Sequence, residues 1–226
     1  ALILPVKEIC IEAKKRGLIT IVDGAHVPGH IPLNMRELQA DIYTGACHKW
    51  MMAPKGVSFL YVKKDFQHWV DPLLISWGYK SDNPGSSQFV DYHQTAGTRD
   101  FSAFLTVPHC IDFMIKHNWI EKSKNCQNLV LKNATKMQEI FGFTPISPIC
   151  SEFIGQMFSI PIITENAELL HNLMYEKYKI EIPVTNLNDK LFIRFSVQVF
   201  NEQKDLDYLV SVLKILESEK IISFAF

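Results

Sequence analysis

Residues 18–56 read "LITIVDGAHVPGHIPLNMRELQADIYTGACHKWMMAPKG", and the order of patterns within them decides the fold. The stretch opens on Leu18 to Val22, an apolar and largely β-branched run that stops at Asp23-Gly24. Such side chains favour extended backbone. Just before it, "PVKEICIEAKKRG" sets Val6, Ile9, Cys10 and Ala13 at helical spacing, with Gly17 placed to end the helix. A continuous apolar strand issuing straight from a helix predicts a parallel strand covered on both faces. "LNMRELQA" follows as a short helix or turn, "DIYTGA" as a second strand and "GVSFLYV" as a third, whose direction stays open.

Beyond this stretch, residues 71–100 are rich in Gly, Pro, Ser and Asp, the composition of a functional loop more than of idle linker. Helical periodicity then runs in two pieces to about Gly142, with Pro108 near the start of the first and the second long enough to bridge two domains. From Phe143 the pattern changes. "FIGQMFSIPI" and "LFIRFSVQV" read as strands around a helix, "NAELLHNLMYEKY". A last helix sets Leu206, Leu209, Val210 and Leu213 on one face, with Asn201 as the expected N-cap. The pattern predicts an α/β fold class, an α/β sandwich of modest size.

Composition narrows the class. Of 226 residues, 47% are hydrophobic and 21% charged, which suits a packed globular chain. A formal net charge of −1 gives no electrostatic argument for a nucleic-acid or membrane partner. No apolar run reaches the ~18 residues of a membrane helix. Cys10, Cys47, Cys110, Cys126 and Cys150 are widely spaced without a CxxC pair, which points to a reducing, cytoplasmic compartment. The chain begins at Ala1, and "ALILP" reads as the tail of an element already under way, so a fragment of a longer protein is expected.

Asp23 stands where an apolar strand runs out, the ligand-binding edge of an open α/β sheet. Lys49 follows the next strand, after ample chain for a crossover to a neighbouring position. A carboxylate and an amine at adjacent strand ends suit pyridoxal phosphate, where a lysine forms the Schiff base and an aspartate pairs with the pyridinium nitrogen. The competing reading is a buried ion pair, or two solvated loop residues. His26, His30, Cys47 and His48 are all metal-competent, but Pro28-Gly29 breaks any helical His-x-x-x-His face, so no metal is expected. Lys55 in "APKG" lacks the glycines and Ser/Thr of a P-loop. Arg194 in "FIRFS" is either an edge-strand residue reaching solvent or a bidentate clamp for a carboxylate. "AGTRD" (96–100) is a turn, or a place where backbone N–H groups and Thr98 meet an anion.

Taken together, "VDGAHVPGHIPLNMRELQADIYTGACHKWMMAPKGVSFLYV", "GTRD" and "FIRFSVQVFNEQKDLDYLV" resemble the class V aminotransferase family of pyridoxal-phosphate enzymes, in its isopenicillin-N-epimerase-like branch. The resemblance runs in order from Pro5 to about Lys214. It implies that Lys49 is the Schiff-base lysine and that Asp23 pairs with the pyridine nitrogen. It also implies that His26 approaches the phenolic oxygen, with Ala25 near the ring and His48 lining the site. Thr98 matches a residue that reaches the cofactor phosphate of a neighbouring subunit, so a homodimer is implied. Arg194 matches the arginine that binds the α-carboxylate of an amino-acid substrate.

Two departures from the family pattern stand out. Ala46 occupies a position where relatives carry Ser or Asn, which removes one hydrogen bond to the cofactor, about 1 kcal/mol of affinity. The chain also looks like the carboxyl-terminal part of such an enzyme, without the amino-terminal part that supplies the phosphate loop and the stacking ring. The resemblance thus implies that residues 1–118 are part of the large cofactor-binding domain, a mostly parallel sheet with flanking helices, and that residues 119–226 are a bridging helix and a small carboxyl-terminal α/β domain. Cysteine desulfurases, also in the family, carry a nucleophilic cysteine shortly before this arginine strand. "EIPVTNLNDKLFIRFS" has none, so that activity is not expected. The implied function is chemistry at the α-carbon of an amino acid, by transamination or epimerisation. The alternative is a non-catalytic fragment or scaffold that retains a vestigial site.

Overall fold

In the computed structural model, which describes residues 1–224, the first helix runs over Val6–Lys15 (α1). Gly17 ends it with a φ of 69°, a left-handed turn that needs no Cβ to be accommodated. Cys10 is buried, whereas Ile9 is 54% exposed, so the covered stripe is narrower than the spacing suggests. Strand Ile21–Asp23 (β1) follows, then a one-turn helix Met35–Leu38 (α2), capped by Asn34, whose side chain accepts from the backbone N–H groups of Arg36 and Glu37. Strands Ile42–Ala46 (β2) and Ser58–Val62 (β3) complete a sheet of order β1-β2-β3.

β1 and β2 are parallel, with Asp23 opposite Thr44, and β3 returns antiparallel to β2. The expected cover on both faces of β1 is not met among the described residues. β1 is an edge strand, and Ile21 is 73% exposed. Asp41, just before β2, ties the three strands together at their other end. Its carboxylate accepts from Thr20 N and Oγ1 at 3.0 Å each and from Lys63 Nζ at 2.8 Å. Burial pushes this carboxyl up, but the bonds from Lys63 and Thr20 outweigh it and hold the group below its ordinary value.

After a short 3₁₀ helix, Lys64–Trp69, residues 71–100 are largely irregular apart from Gln88–His93 (α3). Helices Ser102–Leu105 (α4) and Val107–Lys116 (α5) follow, with Pro108 in the first turn of α5, where a missing N–H costs no intrahelical bond.

Residues Pro5–His117 form one compact unit, and residues from Asn118 onward form another together with Ala1–Leu4. Placing the first four residues in the second unit follows partly from Ile3 N, which donates to Phe153 O at 2.8 Å. This second unit contains Trp119–Phe141 (α6), Met157–Ile162 (β4), Ala167–Glu176 (α7), Val184–Leu187 (β5), Lys190–Ser196 (β6) and Gln203–Ser218 (α8). Its sheet is antiparallel in the order β4-β6-β5, and its core joins Val130 and Met137 of α6 to Ile160, Ile193 and Leu213. The α/β class holds in both units.

Two details differ from the sequence expectation. β5 has no counterpart there. It forms because Asn188 and Asp189 both take positive φ, 51° and 61°, and close a two-residue hairpin onto β6. The N-cap of α8 is Glu202, not Asn201, in a reciprocal capping box with Asp205. Asn201 Oδ1 instead accepts from Gln198 N at 2.9 Å.

Candidate active site

Asp23 is the last residue of β1, and Lys49 sits in the turn three residues beyond the end of β2. Because the two strands are parallel neighbours, both residues leave the sheet at the same, carboxyl-terminal edge. Both side chains are exposed. Among the described residues neither enters an ion pair, so the buried Asp23–Lys49 pair offered as an alternative is not formed. Asp23 Oδ1 accepts from Ala25 N at 3.0 Å, a local turn that aims the carboxylate away from its own strand. Tyr43, buried beside it, donates to Gly24 O at 3.4 Å. Its hydroxyl is pushed up to about 12, first by burial and then by the charge of Asp23. Gly24 leaves room for that ring, since a Cβ there would overlap the Tyr43 phenol.

The lysine turn is closed by backbone bonds. Cys47 N donates to Val57 O at 3.0 Å, Ala53 N to Cys47 O at 3.1 Å, and Met52 N to Lys49 O at 3.1 Å. His48 Nδ1 also meets Val57 O, at 2.9 Å. A carbonyl only accepts, so His48 carries its proton on Nδ1. Lys49 therefore rides on a short loop whose two neighbours toward the strand are both pinned to one carbonyl.

The turn after Asp23 and the turn holding Lys49 are packed together. Gly29, at a φ of 80°, lets them approach, because a Cβ there would stand 2.7 Å from the backbone of Trp50 and Met51. Trp50 Nε1 donates to His26 Nδ1 at 3.3 Å. The Trp50 ring stacks on His30 with centroids 4.3 Å apart, and His30 Nδ1 donates to His26 O at 2.9 Å. Burial pushes the His30 imidazole below its ordinary value. From the sequence, His30 stands out only as metal-competent and Trp50 only as an aromatic; the signal for Trp50 is the "HKW" triplet, in which an indole follows the candidate lysine.

The remaining candidates lie elsewhere. Among the described residues no group of three or more His, Cys, Asp or Glu converges in a way that could hold a metal. Thr98 is exposed, next to Gly97 at a φ of 98°, in the segment before α4. Ala46 is buried at the end of β2, opposite Ser58. Arg194 belongs to the second unit, on β6. That strand is the middle one of its sheet, so the edge-strand alternative is excluded. Its Nε is buried without a hydrogen-bond partner, and among the described residues no carboxylate pairs with it. A desolvated guanidinium nitrogen left in this way favours an incoming anion.

Residues 2–209 match the aminotransferase class-V family. The chain is 33% identical over 224 residues to the isopenicillin N epimerase of Amycolatopsis lactamdurans, covering 94% of this chain and 56% of that protein. The chain thus spans about half the length of this curated relative. In fold it is similar to the apo cysteine desulfurase of Thermococcus onnurineus NA1, with a TM-score of 0.82 at 20% identity over 96% of this chain and 57% of that one. It is also similar to a lysine-to-alanine mutant of C-DES with glycine covalently linked to the PLP cofactor, with a TM-score of 0.78 at 16% identity over 93% of this chain and 56% of that one. The chain belongs to the class-V aminotransferase family, whose cofactor is pyridoxal phosphate.

Proposed function

We propose that Lys49 is the cofactor-bearing lysine of an enzyme that acts at the α-carbon of an amino acid, by transamination or by an isopenicillin-N-epimerase-like inversion. One observation carries this reading. Asp23 and Lys49, both exposed and unpaired, leave parallel neighbouring strands at one edge, on turns that are locked together. The chemistry of these two residues suits the group: an exposed amine and a carboxylate with one oxygen engaged by Ala25 N.

Lys49 and Asp23 would hold pyridoxal phosphate by its aldehyde and its ring nitrogen. His26 would face the phenolic oxygen, with Ala25 and His48 lining the ring and Thr98 reaching the phosphate of a second subunit in a homodimer. Bound in this way, the cofactor supplies an electron-poor ring that accepts the electron pair left on the α-carbon. The residues do the rest. Arg194 binds and orients the substrate carboxylate through its planar fork. Lys49 Nζ would serve as the base that takes the α-proton. Asp23 keeps a negative charge at the ring nitrogen, which holds that nitrogen protonated. The five free cysteines suit a reducing, cytoplasmic setting, and among the described residues no helix is long and apolar enough to cross a membrane.

The test is covalent trapping. The full gene product carrying this chain is incubated with pyridoxal phosphate, reduced with borohydride, digested and mapped by mass spectrometry. The expected result is a single modified peptide bearing Lys49. Modification spread over surface lysines, or absent, contradicts the assignment and favours a scaffold that keeps only the outline of a site.

A further inference from the structure

We propose that Trp50 is a positioning residue whose indole N–H fixes His26 in the tautomer that carries its proton on Nε2. An indole nitrogen is a donor only. The Trp50 Nε1 to His26 Nδ1 contact at 3.3 Å therefore requires a lone pair on Nδ1. A neutral imidazole has one N–H, so the proton sits on Nε2.

The surroundings are built to keep the indole in place. Trp50 is 7% exposed, and His30 lies against its face at 4.3 Å with an interplanar angle of 27°. His30 in turn donates from Nδ1 to the His26 carbonyl at 2.9 Å, which fixes the turn that carries the His26 ring. Gly29 admits the Trp50 backbone against the same turn. Two histidines four residues apart thus serve opposite roles. His30 orients the indole, and the indole orients the proton of His26. His48, on the other side of Lys49, is set in the reverse sense, with its proton on Nδ1 toward Val57 O.

The consequence rests on the cofactor reading above. A ring presenting Nε2–H offers a hydrogen-bond donor to the phenolic oxygen, whereas the other tautomer would offer a lone pair to an oxygen that carries negative charge. Trp50, covalently next to Lys49, therefore couples the lysine turn to the donor on the neighbouring turn.

The test reads the tautomer directly and needs no cofactor. In the full gene product with ¹⁵N-labelled histidine and tryptophan, long-range ¹H–¹⁵N correlation assigns the protonated nitrogen of each imidazole, and His26 is identified by its loss in His26→Gln. The expected result is a His26 protonated on Nε2, together with a ¹⁵N–¹⁵N coupling across the bond to the Trp50 indole. Trp50→Phe keeps an aromatic face for His30 but has no N–H, and should turn His26 into a mixture of tautomers with His30 unchanged. A wild-type His26 protonated on Nδ1 overturns the proposal even if Trp50→Phe does not fold. So does an unchanged tautomer in a folded Trp50→Phe. A purely structural indole would leave the tautomer where it was. Loss of the Lys49 trapping result would leave this measurement intact, so the two readings fail separately.

Discussion

Arg194 keeps a buried Nε–H without an acceptor on the middle strand of its sheet. A donor left in this way costs about 1–3 kcal/mol unless a ligand satisfies it. Arg194→Met, similar in length but without the charge, should therefore leave the unfolding midpoint unchanged or raise stability by about 1 kcal/mol. The same substitution should abolish saturable binding of an amino-acid carboxylate, read by calorimetry on the full gene product. A strongly destabilised variant would mean that the guanidinium is structural. At Gly29 the expectation runs the other way. Gly29→Ala meets both a φ of 80° and the backbone of Trp50 and Met51, so it should cost about 1–3 kcal/mol, seen as a lower urea midpoint.

At the scale of elements, the bonds of Asp41 join the segment before β1 to the residue after β3. Asp41→Ala should lower stability at neutral pH by about 2–3 kcal/mol, since the hydrogen bonds go to a charged and 8% exposed group. The folded carboxyl is held below its ordinary value of 3.8, so its contribution is complete above that value and is lost as the pH falls through the lower, folded one. Urea denaturation of wild type and variant should differ at pH 6 and converge in acid below that range. A gap that stays constant would show that the charge is irrelevant.

The helix stop at Gly17, the strands flanking "GACHKW" and the periodic α8 are local signals, and the sequence carries them openly. β5 was not legible because Val184–Leu187 is too short and polar to alternate, and only the Asn188-Asp189 turn marks it. The cover of β1 could not be read either, since burial depends on what packs against an edge and not on the strand's own residues. Of the proposed residues, Asp23 and Lys49 were read from strand ends and the family resemblance, and Arg194 from its strand motif and the same resemblance. The Trp50, His26 and His30 array was not, because a ring stacked on another ring leaves no spacing pattern in the chain.

On the scale of the whole molecule, the chain joins two units with separate cores, one holding the Asp23 and Lys49 turns and the other holding Arg194. It covers 94% of itself but only 56% of the isopenicillin N epimerase it matches, so the complete activity is a property to be measured on the full gene product. The proposed function stands on Lys49 as the cofactor-bearing lysine. The most direct measurement is the visible absorption spectrum of that product during titration with pyridoxal phosphate, wild type beside Lys49→Ala. A saturable visible band is expected in the wild type and none in Lys49→Ala. An equal band in both proteins, or none in either, would contradict the Lys49 assignment.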